Sequence, residues 1–364
     1  MAELLPNLLD FTLEEMESFI SSHGKEKYRA RQIMKWLHQS GATSFSCMTT
    51  LSKDFREKLS SIARIARPRI VKIQQSQDGT KKALFELEDG HFIESVLIPG
   101  KNHWTLCVST QAGCAMGCKF CFTARQGLKR NLKPSEIVGQ MLAMTFETPE
   151  GPQIKNIVMM GMGEPLANYD HTLGAIKILT SDFGMGFSCR KITVSTCGLA
   201  PQILRLGKDI CINLAVSLNA PNNKTRSLLM PVNKTYPLET LLDACKNYPM
   251  PGRRMLTFEY ILIGGVNCSV ADAEQLARLL KPLRCKLNLI VFNEFPGSSL
   301  KAPTTKEVHD FQQVLLNHHF TTILRASRGG DILAACGQLS GSFTGLDIPK
   351  DPLSSSCSTF DVLH

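Results

Sequence analysis

The sequence contains no uninterrupted apolar run close to the roughly 20 residues that a membrane-spanning helix needs. Its first residues, MAELLPNLLDFTLEEMESF, are acidic and lack the basic segment that opens a secretory signal. Because both membrane-directed features are missing, we expect a cytoplasmic protein. The 364 residues are 43% hydrophobic, which is enough for one large domain and a smaller one.

Cysteine is abundant, with thirteen residues in the chain. A disulfide framework is not expected in a reducing compartment, so metal binding or thiol chemistry is the better interpretation. The formal net charge of +9 favours polyanionic partners without identifying one.

The spacing of apolar residues changes once in the first third of the chain, from a helical pattern to a strand pattern. Residues 1–66 are predicted to form a helical accessory domain, with helices over 13–22, 30–40 and 53–63, where apolar residues recur three and four positions apart. Residues 67–100 contain β-branched runs around two Asp-Gly pairs, which are hairpin signals. They predict a short β-meander linking the two domains.

Residues 101–342 alternate strand-like apolar runs with amphipathic stretches. This repeat predicts βα units around a parallel sheet, and therefore an α/β fold with a full or partial (β/α) barrel whose ligands bind at the carboxyl ends of the strands. The Ser-rich residues 343–364 are predicted to be a flexible tail.

The segment QAGCAMGCKFCFTAR carries Cys114, Cys118 and Cys121 in a C-x3-C-x2-C spacing. Gly113 and Gly117 allow the loop to turn tightly. Three thiolates are one fewer than a closed zinc or iron–sulfur site usually has, which indicates an iron left open for another ligand. A zinc site completed by a distant ligand, or three unrelated core thiols, remain alternatives.

A glycine-rich turn, MMGMGEPL, follows the next predicted strand. Gly163 lets a ligand approach the backbone, and the Glu164 carboxylate can accept hydrogen bonds from an ammonium group. Alone, this pattern is more often a simple turn, but its place one βα unit after the cysteines favours a binding site.

The cysteine spacing, with Phe120 before the last cysteine, resembles the signature of the radical S-adenosylmethionine (SAM) superfamily. This resemblance implies one 4Fe-4S cluster held by Cys114, Cys118 and Cys121, and SAM bound to its open iron. It also implies a partial radical SAM barrel, in which the cofactor supplies radical chemistry that the protein positions and shields from water.

Seven motifs sharpen the resemblance to the RlmN family of dual-specificity RNA adenine-C2 methyltransferases. They are IESVLIP, CVSTQAGCAMGCKFC, MMGMGEPL, STCG, SLNAPN, NLIVFNEFPG and RGGDILAACGQL. The resemblance implies methylation of carbon 2 of an adenosine in 23S ribosomal RNA and of the adenosine 3′ of the tRNA anticodon. The sister Cfr family, which methylates carbon 8, is the alternative, and the context of Arg328 and Gly329 favours the C2 enzymes.

The family resemblance also implies three catalytic residues. Cys336 matches the cysteine that a first SAM methylates and that then carries the methyl group to RNA. Cys107 matches the thiol that resolves the resulting protein–RNA adduct by forming a disulfide with Cys336. Glu94 matches the proposed proton acceptor. Without the family, two buried structural thiols and a solvated edge carboxylate would be the default interpretations.

Seven further positions match SAM contacts, and all follow predicted strands. They are Gly163, Glu164, Ser195, Ser217, Leu218, Asn219 and Asn293. Asn219 stands where a histidine is more usual in the family, although an amide can also bind a ribose hydroxyl. Eight cysteines match no motif and are interpreted as packing or surface thiols: Cys47, Cys189, Cys197, Cys211, Cys245, Cys268, Cys285 and Cys357.

RNA recognition has the weakest sequence signal. Scattered basic residues are the candidates, although such residues usually form a solvated face. They are Arg29, Arg31, Lys35, Lys72, Lys81, Lys82, Arg125, Lys129, Arg130 and Lys133. The family's substrates favour recognition of folded, loop-containing RNA through its shape and phosphates, with residues 1–66 as the RNA-binding accessory domain.

Three partner expectations follow from the resemblance: an RNA substrate (23S rRNA and tRNA), an electron donor such as flavodoxin or ferredoxin, and a monomeric enzyme without membrane contact. A metal-stabilised RNA-binding module without catalytic activity is the non-enzyme alternative.

Overall fold

The computed structural model describes residues 5–148, 153–295 and 297–341. The predicted tail 343–364 lies outside the described residues.

The N-terminal residues form three helices, α1 (Leu13–Ser22), α2 (Tyr28–His38) and α3 (Lys53–Ile62). The first begins with a capping box, in which Thr12 and Glu15 satisfy each other's backbone N–H groups. The helices bury one apolar stripe each against a common core. The predicted helices are confirmed, with boundaries within two residues.

Three antiparallel strands follow, β1 (Arg69–Gln75), β2 (Lys81–Glu86) and β3 (Phe92–Pro99). Gly79 and Gly90 adopt positive φ angles of 84° and 79° in the two turns, which explains why Asp-Gly pairs stand there. The meander predicted from these turns is confirmed.

The cysteine segment lies in a second, smaller sheet that the sequence did not predict. After β4 (Trp104–Cys107), β5 (Gln111–Gly113) pairs with β6 (Leu128–Asn131), and the short helix α4 (Phe122–Arg125) lies between them. This hairpin closes the base of the loop that carries the three predicted metal ligands.

The remaining elements alternate between helix and strand as predicted, except that two helices lie between the ninth and tenth strands. They are α5 (Pro134–Phe146), β7 (Ile154–Met159), α6 (Tyr169–Thr180), β8 (Ile192–Thr196), α7 (Ala200–Asp209), β9 (Asn213–Ser217), α8 (Asn223–Leu229), α9 (Leu238–Lys246), β10 (Leu256–Leu262), α10 (Val270–Leu280), β11 (Cys285–Val291), α11 (Thr305–Asn317) and β12 (Thr321–Arg325). None of the helices in the described part of the chain is long and apolar enough to cross a bilayer.

The large sheet has the strand order β1-β2-β3-β4-β7-β8-β9-β10-β11-β12. Every pairing from β4 to β12 is parallel, and those from β1 to β4 are antiparallel. In the residues described, β12 does not pair with β1, so the sheet is open and the predicted partial barrel is confirmed. The meander covers the edge of β4 and is continuous with the barrel sheet, although we predicted a linker.

A buried glutamine on α5 joins the meander to the barrel. The Gln140 side-chain oxygen accepts from the Ser95 hydroxyl at 2.6 Å and from the Ser109 N–H at 2.8 Å. Its amide nitrogen donates to the Ser109 carbonyl at 2.9 Å. Gln140 is fully buried, so water cannot replace these hydrogen bonds.

Gln140→Leu therefore leaves the buried Ser109 N–H without its acceptor, and we expect it to lower the free energy of unfolding by about 2–3 kcal/mol. Urea denaturation measures the change. Gln313→Leu, at an exposed position of α11, is the matched control, with an expected change within about 0.5 kcal/mol. Equal effects of the two substitutions would contradict the bridging role.

Candidate active site

The cysteine loop is held by backbone hydrogen bonds from three directions. The Cys114 N–H donates to the Gly127 carbonyl at 3.1 Å, closing the β5–β6 hairpin. The Lys119 N–H donates to the Leu229 carbonyl at 2.9 Å, and the Phe122 N–H donates to the Gly337 carbonyl at 2.7 Å. The loop is thus fixed against both the barrel and the C-terminal part of the described chain.

Gly113 is required at the start of this loop. Its φ is +77°, and an added Cβ would lie 1.9 Å from the Gly127 carbonyl oxygen. A larger residue would open the hairpin, which explains the glycine seen in the sequence pattern.

The three thiols of Cys114, Cys118 and Cys121 line one cavity. Burial raises the pKa of all three, to about 12 for Cys114, and each thiol is also affected by the charge or hydrogen bonding of its neighbours. Clustered buried thiols give up their protons when a cation compensates the thiolate charge, so this donor set fits a metal group.

The thiols of Cys114, Cys118 and Cys121 line one cavity, so each can supply one ligand to a metal group. Three ligands leave a coordination position open for another group.

The glycine-rich turn after β7 forms another wall of the same cavity. Gly163 adopts a φ of +100°, and an added Cβ would lie 2.5 Å from the Gln111 side chain. The Glu164 N–H donates to the Gln111 side-chain oxygen at 2.8 Å. The Glu164 carboxylate accepts the N–H groups of Cys197 at 2.7 Å and Leu166 at 3.0 Å. These contacts tie the carboxyl ends of β7 and β8 together.

Burial raises the pKa of the Glu164 carboxyl, while the two backbone N–H groups oppose that rise. Each of its oxygens accepts a backbone hydrogen bond. Glu164 thus shapes the cavity wall as well as lining it.

The carboxyl ends of β8 and β9 contribute further predicted residues to the cavity. Ser195, Ser217 and Asn219 line it. Leu218 is fully buried behind the wall, and its N–H donates to the Glu259 carbonyl at 2.9 Å. The same cavity is lined by the three predicted metal ligands and by the glycine-rich turn.

Asn219, which stands where a histidine was expected, has a structural role. Its φ is +58°, a left-handed conformation that asparagine tolerates better than most residues. Its side-chain oxygen accepts the Ile261 N–H at 2.8 Å, and its carbonyl accepts from the Asn267 amide at 2.8 Å. The amide group is therefore engaged in joining β9 to β10.

Cys107 and Cys336, which are separated by 229 positions in the sequence, line the same cavity. Cys107 is buried at the end of β4, and Cys336 is exposed on the loop after β12. Burial raises the pKa of the Cys107 thiol, and the charge of the neighbouring Cys336 raises it further. The structure thus brings together the two thiols that the sequence analysis paired.

Cys336 lies in a segment of residues 329–341 that we call the Cys336 segment. Asn293, a predicted SAM contact, does not line the cavity; its side-chain amide donates to the Cys336 carbonyl at 3.2 Å. Its side-chain oxygen accepts from the Ser327 hydroxyl at 2.5 Å. Asn293 therefore supports the Cys336 segment.

Glu94, the predicted proton acceptor, also lies outside the cavity lining. It is buried on β3, on the same strand face as the cavity-lining Val96. One carboxylate oxygen is 3.0 Å from the Lys82 ammonium, and the other accepts the N–H groups of Ser340 and Gly341 at 2.7 and 3.0 Å. Both oxygens are thus occupied by protein partners.

Glu259, a second carboxylate in the cavity, was not predicted from the sequence. It lies on β10, where fully buried and partly buried residues alternate. This period-2 pattern was the sequence signal that could have identified Glu259 as a residue on the cavity face of the strand. The Ser195 hydroxyl donates to it at 3.1 Å, and burial raises the pKa of its carboxyl.

Arg226 was also missed, and no sequence pattern singled it out. It is fully buried on α8 and donates to the carbonyls of Cys197 at 2.7 Å and Leu218 at 3.1 Å. Its positive charge opposes the effect of burial on the pKa of Cys118. Arg226 thus places a buried cation beside the predicted cluster ligands.

Two of the basic RNA candidates are engaged with carboxylates inside the protein. Lys82 is buried against Glu94, and Arg130 forms a bidentate pair with Glu136 at 2.7 Å and also contacts Asp89. Both are therefore poor candidates for phosphate contacts, because a buried or doubly paired cation offers little charge to solvent.

The unassigned cysteines are distributed as expected, with one exception. Cys245, Cys268 and Cys285 are buried, and Cys47, Cys189 and Cys211 are half-buried. Cys197 lines the cavity, so its interpretation as a packing or surface thiol was incomplete. Cys357 lies outside the described residues.

Comparison with known families agrees with this site. Residues 6–65 match the family described as "Ribosomal RNA large subunit methyltransferase N-terminal domain", and residues 108–280 match "Radical SAM superfamily". The chain is 44% identical to the radical SAM methyltransferase of Sphaerobacter thermophilus known from a crystal structure. That likeness covers 93% of this chain and 100% of the other, with a TM-score of 0.87.

Curated relatives match along nearly their whole length. The chain is 68% identical to the "Dual-specificity RNA methyltransferase RlmN" of Syntrophus aciditrophicus (strain SB), over 92% of this chain and 96% of the relative. It is 51% identical to the protein of the same name from Geobacter sulfurreducens, over 92% of each chain. On these matches and the cavity described above, the chain belongs to the RlmN family of dual-specificity RNA methyltransferases within the radical SAM superfamily, which uses a 4Fe-4S cluster and SAM.

Proposed function

We propose that the protein methylates carbon 2 of an adenine in RNA, in 23S rRNA and in the adenosine 3′ of the tRNA anticodon. The observation that supports this function is that Cys107 and Cys336 line the same cavity as the three thiols of Cys114, Cys118 and Cys121. Carbon 2 of adenine is not nucleophilic, so ordinary methyl transfer from SAM cannot reach it. A carrier thiol beside a radical-generating site overcomes that limit.

Cys114, Cys118 and Cys121 would hold the cluster, and the Gly163 turn with Glu164, Ser195, Ser217 and Asn219 would form the surface for SAM. When bound, these groups supply a radical that removes a hydrogen atom from a methyl group. The polypeptide contributes position, because the strand ends and the Cys336 segment line the cavity.

Cys336 would accept the methyl group and carry it to the RNA base. Its exposure at the cavity suits contact with a large substrate. Cys107, losing its proton, would then attack the Cys336 sulfur, so that a disulfide forms as the bond between the Cys336 sulfur and the RNA-bound carbon breaks. That carbon takes the electron pair and a proton and becomes the methyl group of the released RNA. Burial raises the pKa of the Cys107 thiol, so its proton has to be removed when it attacks.

The cellular partners follow from this chemistry. A one-electron donor such as flavodoxin or ferredoxin would reduce the cluster, and the protein would act as a monomer in the cytoplasm, where ribosomal and transfer RNA are found. Residues 1–66 would bind RNA through exposed basic residues such as Arg31 and Lys35. The Arg31 guanidinium lies 5.1 Å, and the Lys35 ammonium 5.7 Å, from the centre of the Phe183 ring.

The modified nucleosides of cells with and without the gene test the reaction. We expect 2-methyladenosine in rRNA and tRNA to disappear when the gene is deleted, and to return with the intact gene but not with Cys336→Ala. Mass spectrometry of digested RNA makes the measurement. A loss of 8-methyladenosine would instead assign the chain to carbon-8 chemistry.

Cys107→Ala tests the resolving role. Because no thiol would remain to release Cys336, we expect RNA to stay covalently attached to Cys336, visible as a shifted band on denaturing gels and mapped by peptide mass spectrometry. Cys189→Ala, a half-buried cysteine outside the cavity lining, is the control and should give no adduct. Absence of an adduct in a Cys107→Ala protein with a full iron content would refute the resolving role.

Gly163→Ala tests the predicted SAM surface. Its Cβ would meet Gln111 at 2.5 Å in a strained backbone conformation. If binding has to overcome a strain of about 1–3 kcal/mol, the affinity for SAM falls roughly 5- to 150-fold, as measured by isothermal titration. Gly186→Ala has a similar positive φ of +66° with no atom within 4 Å, and should bind SAM normally. Unchanged affinity for Gly163→Ala would remove this turn from the SAM site.

A further inference from the structure

We propose that Lys82 and Glu94 are positioning residues that hold Cys336 in place for methyl transfer, a role that rests on the proposed function. The two side chains form a buried ion pair at 3.0 Å, with 8% and 4% of their side-chain surfaces exposed. They lie on neighbouring strands, where Glu94 is paired with Leu84 and Lys82 with Val96. Glu94 lies two residues before Val96 on the same face of β3, and Val96 lines the cavity.

Stability alone does not explain this pair. The cost of removing two charges from water usually cancels their attraction, and two apolar side chains of similar size would stabilise the sheet at least as well. The contacts that the pair makes outside the sheet therefore carry its significance, and all of those described below reach the Cys336 segment.

Lys82 supports a strained point of that segment. Its ammonium donates to the Leu333 carbonyl at 3.3 Å. Leu333 has a φ of +52°, an unfavourable conformation for a residue with a branched side chain, and it comes three positions before Cys336. Such a conformation persists only where the surroundings enforce it. Lys82 is one of those constraints.

Glu94 holds the other side of Cys336. Its carboxylate accepts the N–H groups of Ser340 at 2.7 Å and Gly341 at 3.0 Å, four and five positions after the thiol. Charge-assisted bonds of this kind are stronger than neutral ones. The ion pair thus contacts the segment on both sides of Cys336. Because Lys82 and Glu94 are paired, replacing either one would weaken both contacts.

The turn before β2 adds a second, solvent-facing contact to the same segment. The Ser76 hydroxyl donates to Asp331 at 2.6 Å, and the Gln77 N–H donates to it at 3.2 Å. Asp78 accepts the Gly329 N–H at 3.1 Å. The meander as a whole therefore serves as the support of the Cys336 segment, which explains why it is fused to the barrel sheet.

The test follows the methylation of Cys336 by SAM in the absence of RNA. In this step the Cys336 thiolate forms a bond to the methyl carbon as the sulfonium–methyl bond breaks, leaving S-adenosylhomocysteine and releasing the thiol proton to solvent. No proton leaves an adenine, so a Glu94 that only accepts that proton would not affect this step. Protein purified unmethylated and loaded anaerobically with iron and sulfide is followed by intact mass.

We expect Lys82→Met and Glu94→Gln each to slow Cys336 methylation by about tenfold or more, because small displacements of a reacting group have effects of this size. Hydrogen–deuterium exchange across residues 329–341 should become faster in both variants, a readout that does not depend on activity. Lys306→Met, which breaks an exposed ion pair with Asp310, is the control and should change neither measurement. Asp331→Ala removes the solvent-facing contact with Ser76 and Gln77 and serves as the test variant if Lys82→Met does not fold. It should slow Cys336 methylation and speed exchange in residues 329–341, both by less than the ion-pair variants do.

A Glu94→Gln protein that methylates Cys336 at the wild-type rate but fails to modify RNA would overturn the proposal and support proton removal as the role of Glu94. Unchanged exchange in all three segment variants would overturn it as well. If the wild-type protein is never methylated on Cys336, the proposed function fails, while the exchange measurement still decides whether the ion pair orders the segment.

Discussion

The hydrogen bonds that the Glu164 carboxylate accepts from the Cys197 and Leu166 N–H groups fix the strand ends on which the active site is built. They join the ends of β7 and β8, and the Gln111 side chain extends the link to the cysteine hairpin. Because these groups are buried, none of them has water as an alternative partner. The cysteine loop, the glycine-rich turn and the polar residues after β8 therefore keep one relative arrangement.

Charge balance is the second constraint on this cavity. Three thiols, Glu164 and Glu259 bring negative or potentially negative groups to its walls, and burial alone would keep them neutral. Arg226 supplies a buried positive charge from behind the wall, held by carbonyl groups and Asn233 instead of a carboxylate. Among the described residues Arg226 has no carboxylate partner, so its charge can compensate thiolates, which suits a site that holds an anionic metal cluster.

Much of the fold and the centre of the site could be predicted because their signals are local. Helical periodicity, Asp-Gly turns and βα alternation defined most elements, and the cysteine spacing with the Gly163 turn located the cavity. Other features depend on tertiary context. The left-handed Asn219 and the buried Arg226 follow from contacts between strands that no local pattern encodes. Glu94 looked like a simple site carboxylate, and only the structure placed Lys82, Ser340 and Gly341 around it.

The contacts between the cysteine loop and the Cys336 segment have a consequence for how the enzyme is made. The Phe122 N–H bonds to the Gly337 carbonyl, and the Thr123 hydroxyl to the Leu339 carbonyl at 2.6 Å, across more than 200 positions. Since a chain is synthesised from its N-terminus, the hairpin that carries the three thiols emerges long before the residues that cover it. Until the segment after β12 has been synthesised, these two hydrogen bonds cannot form. The cysteine loop therefore reaches its final packing only after the Cys336 segment has docked.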